Sequence, residues 1–172
     1  QRQMCIRDSR GSAPVQRSIL NHCDEAGVTA MYLSAGMDEG DIIEIRKTAI
    51  QPLETSEELM ARLAQLAAPL CADTVRAIET GTAVRIPQDS ARATYAPMLS
   101  KEESPIDWNQ PARFIVDHVR GLVPWPVATA ELGGMEFKIY RVEYADQKTE
   151  KAPGSLVALT KKGLLVACQD GN

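Results

Sequence analysis

The chain contains no long hydrophobic run. Although 44% of its 172 residues are hydrophobic, no window approaches the roughly 18 consecutive apolar residues of a membrane-spanning helix, and the N-terminus lacks the apolar core of a signal peptide. Aromatic residues are scarce, at 5%, and no aromatic pair of the ribonucleoprotein type is present, which argues against that RNA-reading module. The four cysteines, Cys5, Cys23, Cys71 and Cys168, lie far apart with no Cys-x-x-Cys spacing. Such a pattern speaks against a zinc knuckle and against a disulfide framework, and predicts reduced, mostly buried thiols. What is left is the composition of an ordinary globular protein of one or two domains, with 24% charged residues. It reads as a cytoplasmic monomer with no metal and no membrane partner.

Charge and proline divide the chain. Residues 1–84 hold 8 basic and 12 acidic side chains, whereas residues 85–172 hold 11 of each, so the second half is relatively enriched in cations. Ser12 followed by Pro14 predicts a short helix with Val15, Ile19 and Leu20 on one face. Val28 to Ser34 and Asp41 to Thr48 have the composition of strands. Thr55-Ser56-Glu57-Glu58 has capping-box spacing, and Leu59, Leu63, Leu66 and Leu70 recur at three- and four-residue intervals. A long amphipathic helix is therefore expected from about Ser56 to Thr80, kinked at Pro69. Residues 82–109, punctuated by Pro87, Pro97 and Pro105, read as a linker. Beyond it, Asn109 is a potential cap for a short helix carrying Phe114, Ile115 and Val119 and ending at Gly121. Four β-rich runs follow: Val127 to Leu132, Glu136 to Tyr144, Ser155 to Thr160 and Leu164 to Cys168. They predict a small antiparallel barrel or sandwich.

One turn stands out against this background. Gly36-Met37-Asp38-Glu39-Gly40-Asp41 is an acidic connection with a glycine at each end, set between two apolar runs, and it places Asp41 at the mouth of a strand. Glycines so placed imply positive φ or close backbone approach, and such strand-end loops are where α/β proteins carry out their chemistry.

The order and spacing of several segments resemble the folate-dependent formyltransferase family. They are Arg10-Gly11-Ser12-Ala13-Pro14-Val15-Gln16, Gly27-Val28-Thr29, the acidic turn, Ala93-Thr94-Tyr95-Ala96-Pro97, Ile106-Asp107-Trp108 and Arg120-Gly121-Leu122-Val123-Pro124-Trp125-Pro126. The last of these tips the resemblance towards the branch that acts on initiator methionyl-tRNA. The resemblance implies an α/β remnant of a Rossmann-like formyltransferase domain over residues 10–81, the linker over 82–109, and an incomplete OB-like β-barrel over 110–172. It implies 10-formyltetrahydrofolate as co-substrate and initiator methionyl-tRNA as partner. Asp41 is then the catalytic carboxylate, and Gly36, Met37, Asp38, Glu39 and Gly40 line the folate pocket. A basic face of Arg120, Arg141, Lys148, Lys151, Lys161 and Lys162 would meet tRNA phosphates; scattered surface cations are the equal alternative.

By the same resemblance, an Asn and a His in an Asn-x-His pair share the chemistry with Asp41. The Asn donates to the oxyanion, the His moves protons, and the Asp orients the His and helps deprotonate the amine. No Asn-x-His occurs in the sequence, and residues 1–9 match nothing in the pattern. The expectation is a chain truncated at both ends, with an unrelated leader over 1–9, that is inactive alone. His22, in the connection Asn21-His22-Cys23-Asp24, reads as a surface histidine, His118 as structural or tRNA-facing, and Trp125 as a core anchor for the domain junction. A sugar-nucleotide formyltransferase, which would not bind tRNA, and a noncatalytic RNA-binding barrel module stay open as alternatives.

Overall fold

The computed structural model describes residues 9–145 and 147–170, apart from the side chains of Ser9 and Arg92. The leader expected over residues 1–9 thus lies outside the described residues, save for the backbone of Ser9. The chain forms two units divided between Leu99 and Ser100, and among the described residues no helix is long and apolar enough to cross a membrane.

The first unit is α/β. Its strands are β1 (Ser9–Gly11), β2 (Glu25–Met31), β3 (Ile42–Ala49) and β4 (Thr94–Ala96), and its helices are α1 (Pro14–Leu20) and α2 (Ser56–Glu79). β2 and β3 pair antiparallel from Glu25↔Ala49 to Met31↔Ile42, with a bulge at Ala30/Met31. β2 therefore lies three residues earlier than its apolar content suggests, because Glu25 opposes Ala49 in the ladder. The α2 capping box forms as its spacing predicts. Thr55 Oγ1 accepts from Glu58 N at 3.2 Å and the Glu58 carboxylate accepts from Thr55 N at 2.8 Å. The helix then runs through Pro69 to Glu79, burying Leu59 and Leu63 against Ile19 and Ala26, with Val15, Val28, Ile50 and Leu66 around them. Two arginines tie α2 to the hairpin. Arg46 of β3 reaches Asp73 at 2.6 Å, and Arg62 bridges Glu54 at 2.7 Å and the Ala49 carbonyl at 2.7 Å.

The proline-punctuated stretch after α2 is more than a crossing. Ile86 exchanges backbone hydrogen bonds with Ile42 at 2.8 and 3.0 Å, and β4 pairs in parallel with β1, Arg10 lying opposite Tyr95. Proline breaks helical period, but it does not prevent isolated bridges of this kind, which leave no periodic trace in a sequence.

The second unit is built on α3 (Ala112–Gly121) with two hairpins, β5 (Ala128–Leu132) with β6 (Met135–Ile139), and β7 (Leu156–Thr160) with β8 (Gly163–Val166). Ile115, Val116, Val119, Leu122, Val127 and Ala128 are buried. Gly133 and Gly134, at φ of +60° and +78°, close the β5–β6 hairpin, where a two-residue turn needs positive φ at both positions. These strands make two separate two-stranded sheets, and no closed barrel of the expected OB-like kind occurs among the described residues. Strands of four or five residues pair locally here, and alternation within a strand says nothing of which strand comes next to it. Asn109 is not the cap of α3 either. Pro111 occupies that position, and Asp170, remote in sequence, accepts from Ala112 N at 2.7 Å. That bond holds the Asp170 carboxyl below the usual carboxylate range.

Trp125 is 48% exposed. Of the thiols expected to be mostly buried, Cys5 lies outside the described residues. Cys23 and Cys168 are buried, whereas Cys71 is free but exposed on α2.

Candidate functional site

The β2–β3 ladder ends at Met31↔Ile42, and one further bond extends it, from Tyr32 N to the Asp41 carbonyl at 2.9 Å. Residues 33–40 leave the ladder as the acidic turn, and Asp41 is fixed at its root. The Asp41 side chain is 34% exposed, and its Oδ2 accepts from Arg85 Nη1 at 3.2 Å. The Arg85 guanidinium lies 3.8 Å from the centroid of the Tyr32 ring, a cation–π arrangement. Arg85 comes to this place because its neighbour Ile86 is bonded to Ile42 next to Asp41. An ion pair this exposed contributes about 0–1 kcal/mol to stability. Its consequence is geometric, since the carboxylate faces a cation that an aromatic ring and a backbone bridge hold in position.

The turn is gripped from outside. Gly11 N donates to Asp38 Oδ2 at 3.2 Å, and Arg10 Nη1 meets Glu39 Oε1 at 3.3 Å. Gln88 Nε2 donates to the carbonyls of Asp38 and Gly40 at 2.9 and 2.8 Å, while its Oε1 accepts from Arg10 Nη2 at 3.4 Å. Asp38 takes φ of +53°, a conformation that aspartate tolerates better than most residues. Gly40 is buried, and a Cβ there would overlap the Tyr32 carbonyl oxygen, so this glycine answers a close backbone approach. At Gly36 a Cβ would meet only the carboxylate end of Glu39. Met37 in the turn and Leu33 before it present exposed apolar side chains, Leu33 fully so.

The carboxylates of Asp38 and Glu39, expected to line the folate pocket, thus help to hold the turn. Arg10 lay within the motif read from the sequence, but Arg85, Gln88 and Tyr32 carried no signal there. The bridge at Ile86 brings residues 85–88 to the turn. His22 adopts φ of +57° in the α1–β2 connection, at the end of the seven-residue β2 away from Asp41. With about 3.3 Å of strand per residue, it is remote from the carboxylate.

In the second unit the six expected phosphate contacts have different surroundings. Arg120 Nε is held 2.7 Å from Asp117 Oδ1, the two side chains being 11% and 4% exposed. Arg141 pairs with Glu143 at 3.4 Å. Lys151 Nζ donates to the carbonyls of Leu156 and Val157 at 3.0 and 3.4 Å, securing the approach to β7. Lys148 is exposed, and Lys161 and Lys162 stand side by side and exposed in the β7–β8 turn. His118 is half-buried with Nε2 3.5 Å from the Ser104 carbonyl, and burial pushes its pKa down from the ordinary value. No group of three or more His, Cys, Asp or Glu residues fit to hold a metal ion occurs among the described residues.

An α/β unit with a carboxylate-rooted acidic turn, followed by a unit of short β-hairpins, is what two family models match in succession. The model described as formyl transferase covers residues 8–75, and that of the formyl transferase C-terminal domain covers residues 98–172. The chain belongs to the formyl transferase family. Within that family it is similar to methionyl-tRNA formyltransferases. It is 42% identical over 163 residues to the one from Geotalea uraniireducens, a match that covers 95% of this chain and 51% of that protein. The chain spans about half the length of the curated relatives it matches. Among solved structures, the methionyl-tRNA formyltransferase from Clostridium thermocellum superposes with a TM-score of 0.66 at 23% identity, covering 85% of this chain and 62% of that one. An N-formyltransferase from Helicobacter canadensis, in complex with folinic acid and dTDP-3-aminofucose, gives a TM-score of 0.75 at 17% identity, covering 95% and 60%. These two likenesses concern the fold.

Proposed function

We propose that this chain derives from, and carries part of the machinery of, an enzyme that transfers the formyl group of 10-formyltetrahydrofolate to the α-amine of initiator methionyl-tRNA in the cytoplasm. The observation that carries the reading is Asp41, rooted in a backbone-clamped acidic turn, in a chain similar over nearly its whole length to methionyl-tRNA formyltransferases. The first unit is read as part of a Rossmann-like catalytic domain and the second as part of an OB-like tRNA-engaging domain. In the transfer the amine must lose a proton, attack the formyl carbon and leave an oxyanion that needs a donor, while the departing folate nitrogen gains a proton. Asp41 suits the first task. Its carboxylate attracts an ammonium group and draws off positive charge as the nitrogen becomes nucleophilic, with Arg85 as the resident cation that the substrate amine would replace. The exposed apolar side chains of Leu33 and Met37 beside the turn suit the flat ring of a folate.

The sequence holds no Asn-x-His, so the 172-residue polypeptide alone is expected not to turn over. General acid–base groups contribute about 10²–10⁴-fold and an oxyanion donor about 10²–10³-fold. Binding is the more direct test. The chain is offered initiator methionyl-tRNA and dTDP-3-aminofucose in parallel, with folinic acid titrated in. Binding of tRNA, together with folinic acid perturbing the resonances of Gly36 to Gly40, is the expected result. Binding of the sugar nucleotide without tRNA overturns the proposal in favour of a sugar-nucleotide formyltransferase, and tRNA binding with no folate response favours a noncatalytic RNA-binding module. Turnover matching that of the Geotalea relative would refute the account of the chemistry.

A further inference from the structure

We propose that Gln88 is a positioning residue for the candidate site, its carboxamide setting the path of the acidic turn and thereby the direction in which Asp41 leaves it. The inference rests on the reading of Asp41 and its turn as the reacting end of the molecule.

Its basis is how one side chain is used. The two hydrogens of Gln88 Nε2 serve two carbonyls that flank Glu39, those of Asp38 and Gly40, at 2.9 and 2.8 Å. Two carbonyls that are two residues apart converge on one nitrogen only if the chain between them doubles back, and the positive φ of Asp38 does this. The opposite end of the same amide accepts from Arg10 Nη2, and Arg10 reaches Glu39 through Nη1. Gln88 therefore completes a ring of contacts around the turn that draws on residues 10, 38–40 and 88. Asp41 follows Gly40 directly, so any rotation of the Gly40 carbonyl swings the peptide plane that carries Asp41. A carboxamide is the group this place calls for, because it offers two donors and one acceptor in a single plane. Glutamate offers acceptors alone, and methionine, of similar length, offers neither donor.

The experiment compares the wild-type chain with Gln88→Met and Gln88→Glu by nuclear magnetic resonance, reading backbone order parameters for residues 36–41 and the side-chain carboxyl carbon line of Asp41. Gln88→Glu keeps an acceptor for Arg10 while losing both donors. In the wild type the turn is expected to be as ordered as its strands, with order parameters of about 0.85, and in both variants to fall below about 0.6. The Asp41 carboxyl line should move, while the β2–β3 ladder stays ordered. A role confined to general stability would lower the unfolding temperature and leave the Asp41 line in place, which would overturn the proposal. So would a Gln88→Glu chain that behaves as wild type, since the Arg10 contact would then suffice. In a second arm folinic acid is titrated into all three proteins, and at least a five-fold weaker affinity is expected in both variants. If the wild type shows no folate response, the folate reading of the turn fails, whereas the order parameters still decide the role of Gln88.

Discussion

Replacing Gly40 by alanine adds one methyl group where the chain has no room for it. The new Cβ would overlap the Tyr32 carbonyl oxygen, and Tyr32 and Asp41 are joined there by a backbone hydrogen bond of 2.9 Å. The two segments must separate, which breaks that bond and the bond from Gln88 to the Gly40 carbonyl. Each loss costs about 1 kcal/mol, and the residual overpacking adds about 1–3 kcal/mol, so the substitution is expected to destabilise the first unit by about 3–5 kcal/mol. For a domain of this size each kcal/mol lowers the unfolding midpoint by about 4–8 °C, giving a fall of at least about 12 °C. Two signals separate the units. Far-ultraviolet circular dichroism reports mainly the first unit, which holds the 24-residue α2 and seven-residue α1 against the ten-residue α3 of the second. Tryptophan fluorescence reports the second, because Trp108 and Trp125 both lie there. The dichroism transition should move and the fluorescence transition should not. Gly36→Ala is the matched control, for its methyl meets only the mobile end of Glu39 and endangers one exposed ion pair, a loss of under about 1 kcal/mol. If Gly40→Ala is no more damaging than Gly36→Ala, the close approach at the root of the turn does not constrain the protein as argued.

Two further outcomes concern the second unit. If the hairpin turn of β7–β8 meets RNA phosphates, reversing Lys161 and Lys162 to glutamate should flatten the salt dependence of tRNA binding. The slope of log K against log salt should drop by about 1–2, whereas Lys151→Gln, at a side chain already engaged with backbone carbonyls, should leave that slope unchanged. His118 predicts the pH dependence of folding. Burial lowers its folded pKa, only partly countered by the Ser104 carbonyl and the charge of Glu103, so the unfolded chain binds the proton more readily. Stability is therefore full above the ordinary histidine value of about 6.5 and is lost as pH falls from there to the folded value. Fluorescence-monitored unfolding at pH values on either side of this window should show wild type losing more stability on acidification than His118→Gln, and the opposite order would contradict the burial argument.

How much of this was legible beforehand differs from element to element. The capping box at Thr55 and the leucine spacing of α2 are local signals, and the helix starts where they indicate. The acidic turn was legible as a place, because glycines beside carboxylates at a strand end are uncommon without a backbone reason. Its supports were not: Arg85 and Gln88 lie in a stretch whose prolines mark only the absence of helix, and a single bridge at Ile86 has no period to detect. The cap of α3 came from Asp170 instead of Asn109 for the same reason, since a carboxylate remote in the chain satisfied a helix end whose local candidate was left unused. Short hairpins were legible from their turns, but the way they assemble depends on pairings that no single strand encodes.

The contacts that grip the acidic turn have a kinetic consequence. The β2–β3 hairpin joins neighbours in the chain, whereas Gln88 reaches the turn across 48 and 50 residues, Arg10 reaches it across 29, and Gln88 meets Arg10 across 78. Closing long loops costs more entropy, and non-local contacts tend to form after local ones. During folding the hairpin and α2 can nucleate while the turn is still slack, and the carboxylate reaches its working orientation only when the two ends of the unit have come together. The place where chemistry is proposed is then the last part of the unit to be assembled and the first to loosen. A partial unfolding that leaves most of the helix intact would already have disarmed it.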